Sequence, residues 1–146
     1  MPRHILIAVD GSEFALKAAR YGLELAKALS AEATACIVTP TWAAIGLSEI
    51  ARGHFEEEFA ARSQAYGDDC LAKVSAVAAQ VGTKCSLVQK TGDRAFVVIL
   101  ATAAERGCDL IVVGSHGRRG LDSVVLGSET VKILTNSRIP IVVYKE

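Results

Sequence analysis

Gly114-Ser115-His116-Gly117, then nine residues from Arg118 to Leu126, then Gly127-Ser128, make up the segment of this chain best suited to holding a polyphosphate. Glycines let the backbone come close to an anion, and a helix beginning at Ser128 turns unsatisfied N–H groups toward it. Arg118 and Arg119 place positive charge beside that backbone, and Ser128 and Thr130 add hydroxyl donors. The bland reading is a tight surface turn at Gly114, Gly117 and Gly120 with solvated arginines, and a glycine-rich loop alone does not decide between the two.

Asp10 is the second group of interest. It follows the apolar run Ile5-Leu6-Ile7-Ala8-Val9 and precedes Gly11, so its carboxylate could accept from ribose hydroxyls, help to place a metal ion, or simply satisfy backbone amides at the turn. Glu13, in the first turn of the next helix, would repel a phosphate, which assigns a triphosphate to the Gly114 segment instead. Of the three histidines only His116 enters that segment, where it could donate to a phosphate or face water, and water is the favoured reading. No Ser-His-Asp set can be assembled from spacing, no G-x-x-x-x-G-K-[ST] loop is present, and no general base for ATP hydrolysis stands out.

The elements that must position these residues alternate in type. Apolar runs at Ile5–Val9, Ala33–Thr39, Ser86–Gln89, Leu110–Val113 and Ile139–Tyr144 read as strands. Between them, Ser12–Leu29, Phe55–Val81, a segment after Gly92-Asp93 and Ser128–Asn136 show helical spacing. In the first helix Ala15, Ala18, Ala19, Gly22, Leu25, Ala26 and Leu29 form the expected buried stripe, with Ser12 as N-cap. Asp93 is the expected N-cap of the third helix, which should bury Phe96, Ile99, Leu100 and Ala103. Pro40 to His54 reads as the longest loop.

Alternation of this kind predicts an α/β fold, an open five-stranded parallel sheet with helices on both faces. Right-handed crossovers and a ligand crevice where the winding reverses favour the strand order 3-2-1-4-5, with 2-1-3-4-5 using the same elements. In the first order Asp10 and Gly114 face one cleft. With no internal repeat or linker, residues 1–146 are expected to form one domain.

Composition excludes several classes. Lys plus Arg and Asp plus Glu both total 16, so no net field draws the chain to nucleic acid or an anionic membrane. No apolar run reaches membrane-spanning length and the N-terminus lacks a signal-peptide pattern, which points to the cytoplasm. Cys36, Cys70, Cys85 and Cys108 have no C-x-x-C spacing and read as reduced core thiols.

The G-x-x-G, nine-residue, G-[ST] spacing, together with Val9-Asp10-Gly11-Ser12 and the closing Pro140-Ile141-Val142-Val143, resembles the universal stress protein family over essentially the full chain. The resemblance implies an adenine-nucleotide hydrolase-like fold and membership of the ATP-binding branch. By position, Asp10 would hold the ribose, and Ala8 and Val38 would offer backbone groups to adenine. Gly114, Ser115, Gly117, Arg118, Gly127, Ser128 and Thr130 would surround ribose and phosphates, with Mg2+ entering alongside ATP.

It also implies a homodimer, often through the last strand, whose apolar Ile141–Tyr144 stretch would lie at a sheet edge. Glu129 departs from the family pattern, and a carboxylate in the first helical turn is expected to weaken ATP binding or raise the need for magnesium. The function implied is a nucleotide-dependent stress regulator acting on a protein partner whose identity the sequence does not give. The alternatives are a slow Mg-dependent ATPase and a nucleotide-free dimeric interaction module.

Overall fold

The computed structural model describes residues 1–42, 49–116 and 126–146, with the backbone alone for 49–54. The chain runs β1 (His4–Val9), α1 (Glu13–Leu29), β2 (Glu32–Thr39), α2 (Glu49–Val81), β3 (Ser86–Thr91), α3 (Ala95–Glu105), β4 (Leu110–Gly114), α4 (Ser128–Asn136) and β5 (Ile141–Tyr144). All strand pairings are parallel and the order is β3-β2-β1-β4-β5, the first of the two orders expected.

Side chains alternate across a strand, and the sheet uses that alternation to build two cores. Ile5, Ile7 and Val9 of β1 face one layer with Ala15, Ala19 and Leu23 of α1 and Leu71 and Val74 of α2. Leu6 and Ala8 face the other, with Ile99 and Ala103 of α3 and Ile133 of α4. The winding therefore reverses between β1 and β4, which are neighbours in space although three crossovers separate them in sequence.

α1 begins as expected: the Ser12 Oγ accepts from Ala15 N at 3.0 Å. Its buried stripe includes Leu23 in place of Leu25 and Leu29, which are half-buried. Leu23 follows Ala19 by four residues and so falls on the same face, whereas Leu25 lies at the edge of it and Leu29 is the last residue of the helix.

Three boundaries differ from expectation. The helix expected from Phe55 starts at Glu49, inside the loop expected over Pro40–His54, of which residues 43–48 lie outside the described ones. Glu49, Ala51 and Arg52 are good helix formers and an acidic residue suits an N-terminus, which outweighs Gly53. β5 starts at Ile141 because Ile139 N and O bond to the Ser137 hydroxyl and Pro140 has no N–H to donate. Asp93 does not cap α3. Its Oδ1 accepts from the Thr41 N–H and hydroxyl, and Arg94 becomes the N-cap without a side-chain bond. Phe96 and Leu100 of α3 are only half-buried, while Ile99 and Ala103 are buried.

All four cysteines are free, and burial raises each thiol, Cys108 to about 11. At neutral pH they are protonated and poorly nucleophilic.

The start of the sheet is fastened by Asp109. Its carboxylate accepts from His4 N at 3.0 Å and from Arg3 N at 2.9 and 3.0 Å, and these bonds lower its pKa. A depressed carboxyl stabilises the fold above the ordinary aspartate value of about 3.9, and the contribution disappears as pH falls through the lower folded-state value. Asp109→Asn should therefore be less stable than the parent near neutral pH. The gap in urea midpoints should narrow on acidification below the ordinary aspartate range, and a gap constant with pH would count against the clamp.

Candidate functional site

The register shows where the sheet opens. β1 pairs with β4 only from Ile5↔Leu110 to Ile7↔Val112. Past that point β1 continues with β2 as far as Val9↔Ile37, and β4 continues with β5 as far as Gly114↔Tyr144. The carboxyl ends of β1 and β4 thus part company at the winding reversal, which is where an α/β sheet offers a crevice. A cavity of about 440 Å³ occupies it, within the usual size of a small-molecule site.

The cavity has an apolar body and a polar rim. Ala8, Val38, Ile99, Val113 and Ile133 supply the first, and Asp10, His116, Ser128, Glu129 and Thr130 the second. At the rim α4 begins with Gly127 as N-cap, and no side-chain bond caps it. Among the described residues no side chain accepts from its first-turn N–H groups at the cavity edge.

Of the residues singled out from sequence, Ala8, Asp10, Val38, Gly114, Gly127, Ser128 and Thr130 line this one cavity. Ser115 lies beneath it, buried; its N–H donates to Tyr144 O at 2.8 Å and its carbonyl accepts from Gly127 N at 2.7 Å. That second bond ties together the two glycine-bearing ends of the segment. Gly117 and Arg118 lie outside the described residues, as do Arg119 and Gly120.

Two of these residues have structural commitments. An Asp10 carboxylate oxygen accepts from Ser12 N at 2.9 Å, and the Asp10 carbonyl accepts from the Tyr66 hydroxyl at 2.8 Å. Asp10 thus does bond a turn amide, as the bland reading had it, while also lining the cavity. The Thr130 hydroxyl donates to Gly114 O at 2.8 Å, so its one proton pins α4 to β4.

Glu129 also has an occupation that its sequence position did not reveal. Its Oε2 accepts from Phe96 N at 3.1 Å, and its Oε1 lies 3.5 Å from Lys132 Nζ. The carboxylate acts as the missing cap of α3 and has a cation at its other oxygen, which reduces the repulsion it can exert on an anion at α4. Glu129→Ala should cost about 1 kcal/mol of stability, the usual value of a lost cap, read as a modest fall in Tm. Affinity for an anion at the start of α4 should change by less than about threefold, under 0.7 kcal/mol. A large gain in affinity with unchanged Tm would show that the carboxylate acts on the ligand after all.

Sequence reasoning did not find the contact between His116 and Phe14. The two rings stack, with centroids 3.9 Å apart and planes 18° from parallel. Phe14 also leans on Tyr144 of β5 at 5.6 Å. His116 therefore lies against a ring at the cavity rim, half-buried, where sequence had favoured a histidine facing water. Nothing in the spacing of positions 14 and 116 signals this meeting, because it depends on β1 and β4 being neighbours.

The model of the Universal stress protein family matches residues 1–145. This chain belongs to that family. Universal stress protein MJ0531 of Methanocaldococcus jannaschii is 31% identical over 144 residues, 99% of this chain and 82% of the relative. Among solved structures, this universal stress protein is similar to the hypothetical protein MJ0577, at 25% identity and a TM-score of 0.82, over 99% of this chain and 96% of that one. A universal stress protein solved in complex with cAMP has a TM-score of 0.71 at 20% identity, covering 98% and 97% of the two chains. One from Archaeoglobus fulgidus in complex with dAMP has a TM-score of 0.72 at 15% identity, each chain covered to 98%.

Proposed function

We propose that this universal stress protein binds an adenine nucleotide in the cavity between the parted ends of β1 and β4, that the nucleotide is ATP, and that its occupancy regulates a stress response. The observation that carries the reading is the uncapped start of α4 at the rim of an apolar cavity, beside Gly114. Apolar walls suit a purine, and a helix N-terminus with no side-chain cap among the described residues suits its phosphates. The cAMP and dAMP complexes of proteins with this fold support the adenine assignment.

Within that reading Asp10 accepts from the ribose hydroxyls. Adenine meets the backbones of Ala8 and Val38, which lie past the last β1–β4 pair and the last β1–β2 pair respectively. The phosphates lie against Gly114, Ser115, Gly127 and the first turn of α4, with Gly117 and Arg118 completing the cradle. Mg2+ enters bound to the phosphates. A second copy of the chain pairs along β5, the edge strand, whose four residues are half-buried. We assign the protein to the cytoplasm as one domain over residues 1–146; among the described residues no helix is long and apolar enough to cross a membrane.

The test is calorimetric titration of the purified protein with ATP, AMP and GTP, with and without magnesium, alongside phosphate release. Saturable ATP binding with little turnover supports the regulator. Sustained phosphate release would establish the ATPase instead, and absent binding would leave an interaction module. Light scattering at micromolar concentration should show a dimer.

A further inference from the structure

We propose that His116 is a preorganised phosphate ligand, with Phe14 fixing its ring plane and Ser115 fixing its proton. This rests on the nucleotide reading of the same cavity and assigns the residue that lets it favour phosphorylated ligands over the bare nucleoside.

Three observations meet at this ring. It lines the cavity beside the N-terminus of α4. It is stacked on Phe14 at 3.9 Å, and such a contact restrains a side chain that would otherwise turn freely at a strand end. Its Nδ1 lies 3.2 Å from the Oγ of Ser115, a residue only 3% exposed.

Burial of Ser115 supplies the direction of the last bond. A buried hydroxyl proton needs an acceptor, and among the described residues Nδ1 is the acceptor within reach. With Nδ1 accepting, the neutral imidazole carries its proton on Nε2, because the partner of one ring nitrogen decides the state of the other. Nε2–H is then a directed donor at the cavity rim. The ring and the first turn of α4 line the same cavity. A phosphate oxygen arriving there accepts a hydrogen bond from a ring already in place, which saves the entropy of ordering it on binding.

The chain supports this arrangement at one more position. A Cβ on Gly114 would stand 3.0 and 3.1 Å from two Phe14 ring carbons, so the ring lies directly over the glycine. Gly114 thus serves the imidazole through Phe14 as well as the phosphate approach.

The experiment compares the parent protein with His116→Phe, which keeps an aromatic partner for Phe14 and removes the donor, in titrations with adenosine, AMP and ATP. A hydrogen bond to a charged oxygen is the stronger kind, so the ratio of ATP to adenosine affinity should fall about tenfold or more. His116→Gln, whose amide nitrogen can reach the position of Nε2, should recover part of the ratio. An unchanged ratio in His116→Phe, with the parent binding ATP normally, would overturn the proposal; failure of the parent to bind any adenine nucleotide would instead sink the functional reading beneath it. Independently of ligand, long-range ¹⁵N–¹H spectra should show the Nε2–H tautomer of His116 in the parent, and Ser115→Ala should reduce its share. A parent dominated by the Nδ1–H tautomer would also overturn it.

Discussion

Gly114→Val should lower ATP affinity by one to two orders of magnitude while leaving the sheet assembled. A Cβ at this position would stand 3.0 Å from the Phe14 ring and 3.2 Å from the His116 carbonyl oxygen. Backbone cannot swing aside as the end of a flexible side chain can, so Phe14 must move and its stacked imidazole with it. Overpacking of this kind costs about 1–3 kcal/mol, and the displaced imidazole lines the cavity in which the nucleotide is proposed to bind. Converted to binding, about 1.4–2.7 kcal/mol is a ten- to hundredfold loss. Valine is a good strand residue and Gly114 is the last residue of β4, so the parallel pairings before it should survive. Titration calorimetry beside circular dichroism would separate the two effects. Normal ATP affinity in a folded Gly114→Val would mean that the nucleotide lies elsewhere.

Gly11→Ala should be strongly destabilising. Gly11 has φ of +88°, in the left-handed region, where a Cβ costs about 1–2 kcal/mol. A Cβ there would also meet the Tyr66 hydroxyl oxygen at 2.1 Å and Cys70 Sγ at 2.7 Å. The Tyr66 ring can yield, since that residue is partly exposed, but only by giving up its bond to the Asp10 carbonyl. Cys70 is buried and has less room. Strain, overpacking and one lost hydrogen bond together suggest about 3–5 kcal/mol. For a chain of this size that is roughly 6–20 °C in Tm. Tyr66→Phe serves as the control: it removes the hydroxyl with its bond to the Asp10 carbonyl and should cost about 1 kcal/mol. A Gly11→Ala protein within a few degrees of the parent would show that the turn does not need glycine.

Both substitutions act at the ends of β1 and β4, and both positions were visible in the sequence as glycines after apolar runs. Their reasons were not. The sequence suggested backbone approach to an anion at Gly114, and the structure adds a phenylalanine from α1 lying over it. At Gly11 the left-handed turn follows from the residue type, but the Tyr66 hydroxyl reaches across from α2, 55 residues away. Glu129 illustrates the same limit. Its place in the first turn of α4 predicted repulsion of an anion, a local inference, whereas its carboxylate is bonded to the start of α3, a neighbour that only packing supplies.

The order of elements and the two faces of each strand were legible because they depend on period: apolar runs near five residues for buried parallel strands, three-and-four spacing for the helices between them. The position of the crevice was legible too, since right-handed crossovers leave few ways to wind five parallel strands. Element ends were less so, because caps and ladders take partners from other parts of the chain, as Asp93 took Thr41. By itself the sequence determined a doubly wound α/β fold, the family, and two glycine-bearing strand ends as the place to look. Only the tertiary structure decided which side chains share that place, setting His116 on Phe14 and Glu129 on α3, because contacts between residues far apart in sequence exist only once the sheet has been wound and its helices laid down.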